Sequence, residues 1–354
     1  MKQRTENWRG KISHPAQLGG IETSVLDNGA GRGTRIAWIS TGSGLRYKVV
    51  IDRAMDIGEA FFNQHALSWV SHLGTAAPQP FSHRGVDWLR TFSGGLMVTC
   101  GLSHFGPPES DEHGERGLHG LISNQPAEIE SIVQPDPLQG QMEMRITGRI
   151  RETTVFGPSF ELKRTISGTL GESVIRVHDE VVNIANTPKP HMILYHCNFG
   201  WPLADEGADI VWKGSWETPQ EDGNRIFREG NDFHRCSAPI DRHRGGGEDV
   251  AFIDPVAAKG TCSCGIYNER LGLALALRFN KNQLPRLNNW QHWGEDEYVT
   301  GLEPGTNPPT GQAKAREKNA LISLKPREMK TYDLEFSILN EKKSIDEFLK
   351  QYKS

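Results

Sequence analysis

The sequence predicts an all-β protein, a large antiparallel β-sandwich with a few short helices, one of them C-terminal. Glycine (38) and proline (20) are dispersed through the 354 residues instead of being pooled in a linker, and they punctuate short segments rich in β-branched and aromatic side chains. Several of those segments alternate apolar with polar residues at period two, as half-buried strands do. Helical periodicity, by contrast, is scarce.

Taken in chain order, Met142-Glu143-Met144-Arg145-Ile146, Phe160-Glu161-Leu162-Lys163-Arg164-Thr165-Ile166 and Val174-Ile175-Arg176-Val177-His178 carry the alternation. Residues 273–279 form a mostly apolar strand, 320–324 another, and 329–338 a third that closes the β region. The clearest helix is terminal, at about 342–352: Ser344 can cap a stretch with Ile345, Phe348, Leu349 and Tyr352 at i, i+3, i+4, i+7 spacing, and it is expected to cover one end of the sandwich. Two linker-like stretches, 107–115 and 241–248, are read as long loops at a site mouth. No repeat of fixed period is visible. The expected organisation is one domain over 1–354, with its core at about 20–338.

Composition removes several function classes. With 36% hydrophobic and 24% charged residues, the chain is globular and long enough to bury a substantial core. A net charge of −4 and a pI near 6.4 supply no basic excess for nucleic acid. Residues 1–21 are polar, without a signal-like core, and no later run approaches the length that spans a bilayer. Neither nucleic acid nor membrane is an expected partner, and the default address is the cytoplasm. Five cysteines, Cys100, Cys197, Cys236, Cys262 and Cys264, fit reduced thiols. Cys262 and Cys264 would share one face of a strand, but they lack the two-residue gap and second pair of a metal knuckle.

Three constellations can carry chemistry. In Arg116-Gly117-Leu118-His119-Gly120 the glycines let backbone approach a ligand closely. In Ile193-Leu194-Tyr195-His196-Cys197-Asn198-Phe199-Gly200-Trp201-Pro202, His196, Asn198 and Gly200 fall on one strand face; an imidazole there is either a positioned general acid or a satisfied core histidine. In Tyr298-Val299-Thr300-Gly301-Leu302-Glu303-Pro304-Gly305, a carboxylate ends an apolar strand before a rigid Pro/Gly loop. Restricted solvation there favours a base of raised pKa, and a turn-capping glutamate is the plainer reading. Trp290 can stack on a pyranose face or be a core residue, and Arg278 can reach a hydroxyl or an anionic group.

These motifs resemble the galactose mutarotase-like (aldose 1-epimerase) superfamily. Val181-Val182-Asn183 through Pro188 to His196-Cys197-Asn198-Phe199 resembles its histidine strand, Leu302-Glu303 its segment with the catalytic base, and Leu118-His119-Gly120 its upstream His-Gly motif. Arg90, in Trp88-Leu89-Arg90-Thr91-Phe92, stands where the family's sugar-binding arginine is expected. A closer resemblance is to an uncharacterised aldose-epimerase-like branch labelled domain of unknown function 4432. Its hallmarks are matched by Asp52-Arg53-Ala54-Met55-Asp56-Ile57, Leu89-Arg90-Thr91-Phe92-Ser93-Gly94-Gly95-Leu96, Thr99-Cys100-Gly101-Leu102, Arg116-Gly117-Leu118-His119-Gly120 and Gly301-Leu302-Glu303-Pro304. The family's further acidic residue maps onto Glu248 in Glu248-Asp249-Val250-Ala251-Phe252, which lacks the usual histidine. Arg53 and Asp56 have no clear counterpart in mutarotases, and are either a buried structural ion pair or a branch-specific sugar contact.

The resemblance implies a galactose mutarotase-like supersandwich that interconverts the anomers of a monosaccharide without metal or cofactor. Glu303 would take the anomeric proton and protonated His196 would protonate the ring oxygen, the two standing on opposite sides of the ring. Arg90, His119 and Glu248 would bind the sugar, together with Trp290 and Arg278. A homodimer is compatible with the sequence. The alternatives are an epimerase or isomerase of a keto or deoxy sugar on the same fold, a carbohydrate-binding protein without turnover, and a metallo-hydrolase built on His113, Glu115 and His119.

Overall fold

The computed structural model describes residues 8–81, 84–219 and 225–352; of the polar N-terminal stretch, residues 1–7 lie outside the described residues. The protein is all-β, with antiparallel sheets and, among the described residues, two α-helices, Gly311–Glu317 and Lys342–Lys350. A five-stranded meander comes first, with Gly20–Val25, Arg35–Ser40, Leu45–Val50, Asp56–Phe62 and His65–Ala66 paired in chain order. In a nine-stranded sheet the order of the main path is Asp209–Val211, Thr261–Asn268, Leu273–Asn280, Met329–Leu339, Val174–Asn183, Ser159–Thr169, Glu143–Thr153, Ala127–Val133. A seven-stranded sheet runs Gly214–Glu217, Asp249–Pro255, Arg286–Trp293, Tyr298–Gly305, Lys189–Gly200, Ile322–Leu324, and Val98–Leu102 also pairs with Lys189–Gly200.

Period-two patterning shows directly in burial. Ser159–Thr169 alternates buried and half-buried positions along its whole length, because one face meets the core and the other meets solvent. Lys189–Gly200 differs: from His191 onward every residue is buried. Its Ile193, Tyr195, Cys197 and Phe199 join the main apolar core. Met192 and Leu194 face the other way, into a second cluster with Trp88, Phe92 and Phe105. That second face carries His196.

Several sequence expectations are corrected. The strand expected at 320–324 is confined to Ile322–Leu324. The stretch 107–115 is not an open loop, since Glu109–Asp111 and Gly114–Arg116 pair as a hairpin. Ser344 does not cap the last helix. Its N-cap is Glu341, and Ser344 Oγ donates to the Glu341 carbonyl from inside the first turn. That helix covers no end of the sandwich. Ile345 and Phe348 pack on Val211, Ala274 and Ala276, against the outer face of the nine-stranded sheet. The five cysteines are free and buried. No helix among the described residues is long and apolar enough to cross a membrane.

One polar centre ties the sheets together. Arg164, fully buried, donates Nε and Nη2 to the two oxygens of Asp179 at 2.9 and 2.6 Å. Nη1 donates to Asp56 Oδ1 and to the Ala54 carbonyl, both at 2.9 Å, and Nη2 also reaches Thr99 Oγ1 at 2.8 Å. Tyr195 Oη donates to Asp179 at 2.7 Å. Removing one partner of a buried, fully hydrogen-bonded pair leaves its mate desolvated and uncompensated. Asp179→Ala is therefore expected to cost about 3–5 kcal/mol of stability, read as a lowered midpoint in equilibrium urea unfolding; a loss below about 1 kcal/mol would refute that role for the centre.

Candidate active site

Register brings the candidate acid and base together. Cys197 pairs with Leu302 and Asn198 with Gly301, so one step along the antiparallel ladder sets His196 beside Glu303. Their side chains meet, with His196 Nε2 3.2 Å from Glu303 Oε1. On the next strand Asn288 pairs with Glu303 and Trp290 with Gly301. Gly301 is required for this approach: a Cβ built there would lie 2.7 Å from Glu303 Oε1.

Both groups are almost wholly out of solvent, His196 at 6% and Glu303 at 3% exposure. Burial penalises the charged form of each, pushing the imidazole down to about 4 and the carboxyl well above the usual carboxylate range. The negative charge of Glu248 pushes Glu303 up further. His196 Nδ1 and Glu303 Oε1 have no hydrogen-bond partner to stabilise an ion pair, so the neutral pair is favoured in this apolar setting. Both shifts favour a neutral imidazole beside a carboxyl that keeps its proton.

The surroundings are aromatic. Ring centroids of Phe92, Trp290, His119 and Trp88 lie 5.2, 5.4, 5.9 and 6.2 Å from His196, and Trp69 is edge-on to Trp290 at 6.5 Å. His119 sits at φ 57° in a tight turn closed by Gly120 N to the Gly117 carbonyl and tied to neighbouring chain by His119 N to the Gly106 carbonyl and Gly101 N to the His119 carbonyl. Burial, then the neighbouring His196 and His104, holds its ring neutral. Glu248 Oε2 accepts from Trp290 Nε1 at 2.8 Å. It reaches there from the stretch 241–248, which starts with the turn Asp241–His243 and does border the site. That stretch is pinned by buried Asp249, which accepts from Arg242 Nη2 and from His243 Nε2 at 3.0 Å, and by His292 Nδ1 donating to the Gly247 carbonyl at 2.5 Å.

Five of the seven candidate residues thus gather: His196, Glu303, His119, Glu248 and Trp290. Two do not. Arg90, on the turn Asp87–Arg90, has an 84% exposed side chain beside Asp87. Arg278 lies on the nine-stranded sheet, paired with Glu335 at 3.0 Å. The Arg90 motif was read for its charge, whereas its aromatic pair is what meets the site: Trp88 and Phe92 stack at 4.3 Å. Trp69 was missed, being one unremarked tryptophan of nine. No group of three metal-type side chains gathers among the described residues, so His113 and Glu115 do not join His119 in a ligand set.

A family model described as a domain of unknown function (DUF4432) matches residues 31–338. The chain belongs to this family. Among solved structures, this DUF4432 protein is similar to a Klebsiella pneumoniae protein provisionally named an aldose 1-epimerase. That match has 24% identity and a TM-score of 0.81, and covers 94% of this chain and 86% of that one. It is also similar to a galactose mutarotase-like protein from Clostridium acetobutylicum (14% identity, TM-score 0.64, 92% and 100% covered) and a galactose 1-epimerase from Lactobacillus acidophilus (12%, 0.60, 90% and 98%). At these identities the likeness is one of fold, the galactose mutarotase-like sandwich. No curated protein matches.

Replacing Glu248 with Gln removes a negative charge near Glu303, so the Glu303 pKa is expected to fall toward its ordinary value. Titration of the side-chain carboxyl by ¹³C NMR checks this, and an unchanged midpoint would rule out the coupling.

Proposed function

We propose that the protein is a sugar mutarotase, of aldose 1-epimerase type, interconverting the anomers of a monosaccharide by general acid/base ring opening. The observation that carries this reading is the 3.2 Å contact between His196 Nε2 and Glu303 Oε1. The anomeric and ring oxygens of a hemiacetal are bonded to the same carbon, so an acid and a base held side by side can reach both at once, a nearer arrangement than the opposite sides of the ring expected from the sequence. A pair sharing one proton is matched to a reaction that takes one proton and returns one.

In ring opening, neutral His196 takes the anomeric hydroxyl proton while the Glu303 carboxylic acid protonates the ring oxygen. The bond from that oxygen to the anomeric carbon breaks, leaving the open aldehyde above a carboxylate and an imidazolium. Rotation about the bond next to the carbonyl and reversal of both transfers yields the other anomer and restores the resting pair. This reading reverses the roles expected from sequence; it is supported by burial, which disfavours both the imidazolium and the carboxylate at rest. Either transfer alone would form an oxonium or an alkoxide, neither accessible near neutral pH, and each positioned group contributes roughly 10²–10⁴-fold. His119 and Glu248 would take hydroxyls, and Trp290 would stack on the apolar sugar face.

Glu303→Gln is expected to lower anomer exchange by roughly 10²–10⁴-fold, measured by NMR saturation transfer in D₂O over hexoses, pentoses, deoxy sugars and uronic acids. No deuterium should enter at carbon. Deuterium at a carbon would establish an epimerase or isomerase instead, and binding without any exchange would establish a carbohydrate-binding protein.

Activity depends on the pair holding one proton. It should therefore fall at acid pH as His196 also protonates, near pH 4, and at alkaline pH only above the raised pKa of Glu303. A kcat/KM profile with its alkaline limb in the ordinary carboxylate range would contradict this. Gly301→Ala should displace the Glu303 carboxylate, cutting kcat with little change in Tm; full activity would mean that the carboxylate is not held where the reaction needs it.

A further inference from the structure

Arg53 remains unexplained by the pairings above. It is 5% exposed, its Nε donates to the Ser123 carbonyl at 2.9 Å, and its Nη1 is buried with no protein acceptor. Its expected partner, Asp56, is engaged elsewhere, by Arg164 Nη1, by Thr99 Oγ1 at 2.6 Å and by Thr99 N at 3.1 Å. A guanidinium carries a permanent charge on five donors, so leaving Nη1 unmatched inside a protein is costly. That cost points to an acceptor from outside the chain.

The space beside it has a definite size. Arg53 lines a cleft of about 30 Å³ with Gly58, Thr75, Ser93, Gly95 and Val98 among its walls. That volume admits on the order of two water-sized oxygens, the pair that a carboxylate presents to an arginine fork. Two carboxylates share that wall, and each has its own cation: Glu59 pairs with Lys48 Nζ at 2.5 Å and Asp56 with Arg164 Nη1 at 2.9 Å.

Three contacts tie the walls of the cleft to the candidate site. Val98 is the register partner of His196. Phe92, next to Ser93, has its ring 5.2 Å from His196. Ser123, whose carbonyl accepts from Arg53, also accepts through Oγ from Trp88 Nε1 at 3.0 Å. Two other arginines near the site are less suited. Arg242 is paired with Asp249, and Arg225 donates to the Glu248 carbonyl at 3.0 Å, beside a carboxylate that would repel an anion.

We propose that Arg53 holds the carboxylate of a sugar acid whose anomeric carbon lies over His196 and Glu303, so that the substrate class is the uronic acids. The proposal rests on the mutarotase reading and names its substrate. It is tested by calorimetric binding of galacturonate and glucuronate against galactose and glucose to Glu303→Gln protein, alone and combined with Arg53→Lys, Arg53→Met or Arg225→Met.

The expected result is binding of a uronate about tenfold or more tighter than its neutral counterpart. Arg53→Met should abolish that preference, Arg53→Lys, which keeps the charge but not the fork, should weaken it, and Arg225→Met should leave it intact. Equal or weaker uronate binding, no uronate binding, or a preference that survives Arg53→Met overturns the proposal, and its loss in Arg225→Met would move the carboxylate to Arg225. Thermal unfolding reports whether Arg53→Met folds; if it does not, Arg53→Lys and the preference of the parent protein decide. Anomer exchange by wild type separates the two readings. An Arg53-dependent uronate preference without exchange sustains the carboxylate site and removes the mutarotase, whereas exchange of neutral sugars with no uronate preference does the reverse.

Discussion

The Arg164 guanidinium spends all five of its N–H donors inside the protein, on Asp179, Asp56, Thr99 and the Ala54 carbonyl. These partners belong to different layers: Asp179 to the nine-stranded sheet, Asp56 to the meander, Thr99 to the strand beside His196. Through Tyr195 Oη, Asp179 also holds the strand that bears His196. Apolar surfaces tolerate small slips, but a buried ion centre does not, because any slip leaves a charge without its counter-group. Its contribution is to geometry more than to net stability.

That geometry sets the surroundings of the candidate pair. Successive side chains of a strand point to opposite faces, so anchoring Tyr195 inward presents His196 outward, and register with Tyr298–Gly305 then sets Glu303 against it. Because both faces of Lys189–Gly200 are covered, the pair is desolvated. Water would let His196 and Glu303 titrate at ordinary values as two independent groups. The aromatic enclosure withholds that water and disfavours the charged form of each.

Much of the fold was legible because sheet periodicity is local. The alternating runs at 142–146, 160–166 and 174–178 all lie in or at the edge of strands of the nine-stranded sheet. The ends were less legible: Ser344 has the chemistry of a cap, yet the chain turns helical at Glu341, where the apolar face meets Val211 and Ala274. In the site, His196, Glu303, His119, Glu248 and Trp290 were readable from residue type and order. Arg90 and Arg278 were not, because charge in a sequence carries no direction. One is solvated beside Asp87 and the other is paired with Glu335.

The sequence by itself determined the fold class, the motif order and the residue types able to move a proton, since all three follow from patterns over a few neighbouring residues. Only the tertiary structure decided which of those residues meet, how far they are desolvated, and that Asp56 hydrogen-bonds Arg164. Contact and desolvation depend on strands more than a hundred residues apart in the chain, as with His196 and Glu303, and no local pattern encodes the environment that such distant segments create for one another.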